Sequence, residues 1–313
     1  MIFDYQPSFS RNQARAIAAV HFGIDGTATV LPSDRDQNFV LETEGGKRFV
    51  LKISNATASN ERIRFENHVI RVAAEALGPV LIPSPIRGIA GLDVVEIEDG
   101  GRLHQTRILK WVEGKRLALF RPHTPDLFFE LGARLGRLST AMQSLTETGE
   151  TTSPEWDLRQ AEQTVRSHRE FVTDRRYSEI IDHFLARYED QTVLLLGNLP
   201  QQVVHNDAND HNILASVDAN GTAYISGIID FSDAAVCYRI ADLAIAAAYG
   251  MMDKLDPLGA ARSIASGFCS ECLVLEAEAD VLFDLICIRL CTSVVLSTVR
   301  SASEPDNEYV TIS

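Results

Sequence analysis

The chain has 313 residues, 45% hydrophobic and 23% charged, an ordinary globular composition that excludes disorder, collagen or coiled coil as its main state. Its 29 Lys and Arg against 43 Asp and Glu leave a formal charge of −14. Nucleic acids and anionic membrane surfaces both attract a surplus of cations, so neither is an expected partner. At roughly 150 residues per domain the length predicts two domains or two lobes. Five cysteines, an odd number in a chain too long to need disulfide staples, predict a reducing, cytoplasmic setting.

The opening MIFDYQPSFSRNQ lacks the basic stretch and apolar run of a secretory signal. Ser10 is a predicted helix cap, with Ala14, Ile17, Ala18 and His21 on one face and Gly23 and Gly26 as the stop. Two strand-like runs follow, QNFVLET (37–43) and KRFVLKI (47–53), separated by Glu44, Gly45 and Gly46, where paired glycines permit a hairpin turn. Residues 61–77 space Ile63, Val69, Ile70, Ala73, Ala74 and Leu77 as a helix, which Gly78-Pro79 ends. Strands are expected near 92–97 and 103–109.

Past residue 113 the pattern turns helical over 128–145, 158–173 and 176–189. Residues 201–236 interrupt it: VVH, NILAS and YISGIID read as short strands around a polar loop, and helix resumes over 239–300. The most apolar run, LAIAAAYGMM (243–252), is well short of the ~18 residues that span a bilayer. Cys269, Cys272, Cys287 and Cys291 mimic a zinc spacing, but they fall in apolar helical sequence and read as small buried hydrophobes. The change of character divides the chain into an N-terminal domain over 1–110 and a C-terminal domain over 111–313.

The densest polar cluster is His205-Asn206-Asp207-Ala208-Asn209-Asp210-His211-Asn212, followed after a strand-like run by Asp230-Phe231-Ser232-Asp233. Strands flanking the first loop would return the second carboxylate beside it and gather Asp207, Asn212 and Asp230. Phosphoryl transfer uses such a set: a carboxylate orients the attacking hydroxyl, and hard oxygen ligands hold Mg2+ against a triphosphate. His205 is expected to pack under the loop. Asp210 and Asp233 either face an ammonium group on a substrate or are solvated loop acids. Phosphate-loop, nucleophile-elbow and H-E-x-x-H motifs are missing from the sequence.

The pattern H-x-D-x-x-x-x-N followed by I-D-F resembles the catalytic and metal loops of protein-kinase-like enzymes. HNDANDHNIL with GIIDFSDA is similar to the aminoglycoside phosphotransferase and choline kinase superfamily. The resemblance is strongest to its hydroxylysine-kinase-like branch and to phosphotransferase modules fused to class III aminotransferases, then to type II homoserine kinases. It extends through residues 31–54, EWDL (155–158), RIADLAIAAAYG (239–250) and RSASEPDNEYVTIS (300–313), nearly the whole chain.

This resemblance implies an α+β, two-lobe protein-kinase-like fold with a small, mainly β N-lobe and a larger, mainly α C-lobe. It implies Asp207 as catalytic carboxylate, Asn212 and Asp230 as Mg2+ ligands, Lys52 on the α- and β-phosphates, and Glu66 as the partner of Lys52. Lys110, Trp111 and Val112 fall where such folds bind the nucleobase through backbone groups. The polar turn SDRDQN (33–38) has no glycine-rich pattern, so Ser33, Arg35 and backbone N–H groups are the expected phosphate contacts. Asn206 stands where the relatives usually carry Gly, and Ser232 replaces the Gly of a D-F-G. The implied reaction is Mg2+-dependent transfer of the γ-phosphate of ATP or GTP to an amino alcohol or hydroxylated amino acid. Choline, ethanolamine or an aminoglycoside is the alternative acceptor, and a nucleotide-binding module without catalysis the alternative function. A fused or partner aminotransferase is a further expectation.

Overall fold

The computed structural model describes residues 6–33, 35–146 and 154–303. Asp34 of the polar turn and residues 304–313 of the C-terminal motif lie outside the described residues. The chain is sheet-rich in its N-terminal part and helical in its C-terminal part, and divides into two units. One comprises Met1–Gly114 with Ser226–Ile229, the other Lys115–Ile225 with Asp230–Ser313.

In the first unit Ser10 caps α1 (Arg11–Phe22) through a reciprocal bond with Gln13, and Gly23 ends it at φ +66°. Then come β1 (Thr27–Leu31), β2 (Gln37–Glu42), β3 (Arg48–Ile53), α2 (Asn60–Leu77), β4 (Pro85–Ile86), β5 (Val95–Asp99) and β6 (Arg102–Lys110). The sheet order is β1-β2-β3-β6-β4, with β5 also on β6. Side chains alternate across a strand, and this decides where Lys52 points. Leu51, Ile53, Ile108, Phe39 and Leu41 join Ala14, Ile17 and Phe22 of α1 in one core. Lys52 and its cross-strand partners Asn38 and Arg107 therefore lie on the opposite face.

The second unit begins with β7 (Lys115–Arg116), α3 (Pro125–Met142), α4 (Ala161–His168), α5 (Arg175–Arg187) and the single turn α6 (Val193–Leu196). Then follow β8 (Gln201–Val204), β9 (Ile213–Val217), β10 (Ala223–Ile228, which from Ser226 on belongs to the first unit), β11 (Ala235–Tyr238), α7 (Ala241–Met251), α8 (Pro257–Glu271) and α9 (Glu276–Ser303). Close approach of α3 and α8 requires glycine. A Cβ on Gly132 would lie 1.8 Å from the Ile264 carbonyl oxygen, and one on Gly267 1.9 Å from that of Phe129.

Two features differ from the sequence expectation. Asp230 returns to the first loop through β11, a strand not anticipated: β11 pairs antiparallel with β8, Ala235 opposite Val204. The antiparallel register puts the segment leaving β8 and the segment entering β11 at one end of the ribbon. The longest apolar helix is α9, not the run at 243–252. Among the described residues α9 alone is long and apolar enough to cross a bilayer, yet 61% of its apolar window is buried. It packs against α4, α5 and α7. Its buried Glu278, Asp284 and Arg289 all form ion pairs, as befits a core helix.

Candidate active site

The loop after β8 is organised by its own asparagines. Asn209 Oδ1 accepts from the backbone N–H groups of His211 (2.9 Å) and Asn212 (3.2 Å), while its Nδ2 donates to Asp207 Oδ1 at 2.9 Å. Asn212 Nδ2 donates to the Asp207 carbonyl at 3.0 Å and to Asp207 Oδ2 at 2.7 Å. Both amide hydrogens of Asn212 are thereby spent on Asp207, which leaves its Oδ1, a hard oxygen, with no partner among the described residues. His205 is fully buried, lies with its ring 4.5 Å from that of Phe231 at a tilt of 56°, and accepts the Asp207 N–H at Nδ1 (3.3 Å). It supports the loop from below.

Asn206 has φ +67°, the left-handed region that glycine and asparagine tolerate best. Glycine would meet the same backbone requirement. Asn206→Gly is expected to melt close to wild type, whereas Asn206→Val should lose about 1–2 kcal/mol, the cost of a side chain held left-handed. Thermal denaturation of the two variants measures this, and equal melting temperatures would contradict it.

Asp230 is exposed and also left-handed, φ +62°, and its Oδ1 accepts from Ser232 Oγ at 2.7 Å. A non-glycine residue held there stores strain of the kind found at functional bends. Burial pushes the Asp207 carboxyl up to about 7; Arg289 opposes the rise, and Asp233 and Asp230 reinforce it. Burial also raises Asp210, against His211. The structure thus assembles Asp207 with Asn212 by direct hydrogen bonds and brings Asp230 and Asp233 into electrostatic range.

Two residues missed by the sequence reading hold this assembly. Asp242, on the first turn of α7 and 1% exposed, accepts the His205 N–H at 2.9 Å and the Asn206 N–H at 2.8 Å. Arg289 of α9 donates to Asp207 Oδ1 at 3.1 Å. Asp242 is the lone charge of α7 and Arg289 the lone charge of the apolar run 285–299, a signal that could have singled each out.

In the first unit Lys52 is buried at 7% exposure, facing Arg107 across the β3–β6 register. Glu66 of α2 is held by Arg62 at 3.0 Å and by a close contact from Arg107, whose Nη1 also donates to Asn67 Oδ1 at 2.7 Å. Arg107 was not anticipated. In the predicted turn the Asn55 N–H donates to Asp36 Oδ1 (3.0 Å) and its Nδ2 to the Arg35 carbonyl (3.5 Å). Ser33 is half-buried beside them. The Lys110 and Trp111 N–H groups already donate to the carbonyls of Ser84 (2.9 Å) and Arg48 (3.4 Å), and Arg48 lies 4.8 Å over the Trp111 ring.

The donor set suits a hard divalent ion that keeps waters and substrate oxygens among its ligands: one amide oxygen from Asn212 and a carboxylate from Asp230. No group of three or more His, Cys, Asp or Glu placed to hold a metal occurs among the described residues. All five cysteines are free thiols, and only Cys269 is exposed.

Known proteins resemble this chain in sequence and in fold. The profile described as "Phosphotransferase enzyme family" matches residues 27–275. Hydroxylysine kinase of Bos taurus is 28% identical over 323 residues, covering 97% of this chain and 85% of its own. That of Mus musculus is 27% identical over 328 residues, covering 98% and 87%. Among solved structures, an amicoumacin kinase in complex with AMP-PNP, Ca2+ and Ami superposes with TM-score 0.69 at 18% identity, covering 93% of this chain and 86% of its own. A microcompartment-associated aminopropanol kinase gives 0.62 at 16% identity, covering 97% and 99%. At these identities the structures show a shared fold.

Proposed function

The chain belongs to the phosphotransferase enzyme family, and on that premise we propose that it transfers the γ-phosphoryl group of ATP or GTP, with Mg2+, to the hydroxyl of a hydroxylated amino acid or amino alcohol. The observation that carries this reading is the Asp207 carboxylate, fixed through both oxygens yet 22% exposed at its side chain. Its raised proton affinity suits a group that takes a hydroxyl proton. Asp207 Oδ2, bound among the described residues by Asn212 alone, is the atom assigned to that proton. The likeness to hydroxylysine kinases supports a hydroxylysine-like acceptor. Asp210 and Asp233 would meet its ammonium groups.

Asn212 Oδ1 and the Asp230 carboxylate would hold the metal. When bound, the ion neutralises charge that builds on the phosphate oxygens. Lys52 would hold the α- and β-phosphates, with Glu66 fixed on the same face by Arg62 and Arg107. Ser33 and Arg35 would cover the phosphates from the polar turn. Because Lys110 and Trp111 have spent their N–H groups, Val112 is assigned as the backbone donor to the nucleobase. A cytoplasmic setting accords with the free thiols.

The test is a nucleotide-consumption assay with ATP and with GTP, each against hydroxylysine, homoserine, choline, ethanolamine and an aminoglycoside. Acceptor-dependent turnover on hydroxylysine or homoserine is expected. Selective turnover on choline, ethanolamine or the aminoglycoside would move the acceptor class. Nucleotide binding without turnover on the whole panel would remove the proposed reaction.

A further inference from the structure

Arg289 is 1% exposed near the middle of α9. A buried guanidinium is costly to desolvate and persists only where its surroundings use it. Nη2 donates to Asp207 Oδ1 at 3.1 Å and Nη1 to the Trp156 carbonyl at 2.5 Å. The group lies 4.9 Å over the Trp156 ring and 5.6 Å over that of Tyr249. Trp156 is itself anchored: the neighbouring Asp157 is 1% exposed, binds Arg159 and accepts from Cys237 Sγ of β11 at 3.5 Å. The guanidinium is thus pinned by a carbonyl and two aromatic faces, and its remaining arm reaches the carboxylate.

Among the described residues Asp207 otherwise takes hydrogen bonds only from Asn209 and Asn212, members of its own loop. These would move with the loop. Among the described residues Arg289 is the one donor that ties the carboxylate plane to a helix of the core.

We propose that Arg289 is a positioning residue, clamping Asp207 Oδ1 from α9 so that Oδ2 stays aimed at the acceptor hydroxyl. It also gives EWDL a role, as the platform on which the clamp rests. The proposal rests on the reading of Asp207 as the group that receives the hydroxyl proton.

The experiment is steady-state kinetics on the full chain with Mg·ATP and the acceptor returned by the panel, hydroxylysine first. Arg289→Lys and Arg289→Met are made in the wild type and in Asp207→Asn. With Arg289→Met, kcat is expected to fall about tenfold or more, as misplacement of a reacting group by about 1 Å can cost a hundredfold. Nucleotide KM should stay within about twofold, since ground-state binding is untouched. Arg289→Lys keeps charge but not the planar fork, and should fall in between. In Asp207→Asn the second substitution should change the residual rate by less than about twofold, because residues acting through one another are not additive.

Wild-type kcat in Arg289→Met, an effect on nucleotide KM alone, or an undiminished effect in Asp207→Asn would overturn the clamp. Should Arg289→Met fail to fold, Arg289→Lys carries the same comparison in both backgrounds. Full activity of Asp207→Asn would instead bring down the underlying reading. A wild-type chain inactive on the whole panel would remove both.

Discussion

Asp207→Asn is expected to lower kcat by about a hundredfold to ten thousandfold, the range supplied by a positioned acid–base group. Asparagine keeps the volume and leaves an oxygen where Asn209 and Arg289 donate, so Arg289 does not lose its acceptor. Alanine would strip that acceptor from a buried cation, a change that typically costs about 3–5 kcal/mol, and would blur lost chemistry with lost structure. The new amide would meet Asn212 donor against donor at a position now spanned by 2.7 Å. A modest loss of melting temperature should accompany the kinetic effect. Nucleotide affinity measured without metal should not change, because no nucleotide contact is assigned to Asp207. Turnover near wild type in this variant would dismiss Asp207 as the proton acceptor.

The second large effect is expected at Asp242, which is buried at 1% exposure. Its two oxygens receive two consecutive buried backbone N–H groups, those of His205 and of the left-handed Asn206. Burial raises its carboxyl, opposed by His205 and by those two N–H groups. Asp242→Leu would leave both donors unsatisfied, at about 1–3 kcal/mol each. A total of about 2–6 kcal/mol is a large fraction of a typical 5–15 kcal/mol stability. At about 2–4 °C per kcal/mol for large domains, the melting temperature should fall by roughly 4–24 °C. Asp242→Asn keeps one acceptor and should fall by less, so the expected order of melting is Asp, then Asn, then Leu. Calorimetry that finds Asp242→Leu as stable as wild type would show that the loop does not depend on this anchor.

Both predictions turn on contacts that differ in how far they reach along the chain. Asp207, Asn209 and Asn212 lie within one loop, and their mutual hydrogen bonds span two to five residues. Their residue types and spacing already describe a carboxylate braced by amides. The α1 cap at Ser10, the hairpin through Gly45 and Gly46 and the face of α2 are likewise local. Alternation in β3 is a local rule as well, and it puts Lys52 opposite Leu51 and Ile53.

The short strand Ala235–Tyr238 was not legible, because four residues rich in small side chains carry too little periodicity. Yet its pairing with β8 is what returns Asp230 and Asp233 to the loop. Asp242 lies 37 residues from His205, Arg289 lies 82 from Asp207, and Arg107 lies 41 from Glu66. Nothing in the spacing of a lone charge within an apolar run names the group it will meet.

Residue types and near-neighbour spacing sufficed for the local hydrogen bonding of the loop and for the two-part, sheet-then-helix architecture, since both follow from hydrogen bonds and periodicities a few residues long. Packing alone chose which distant charges brace that loop. A buried Asp242 or Arg289 is tolerable only where the folded chain supplies its partners, and those partners come together only after α7 and α9 have docked.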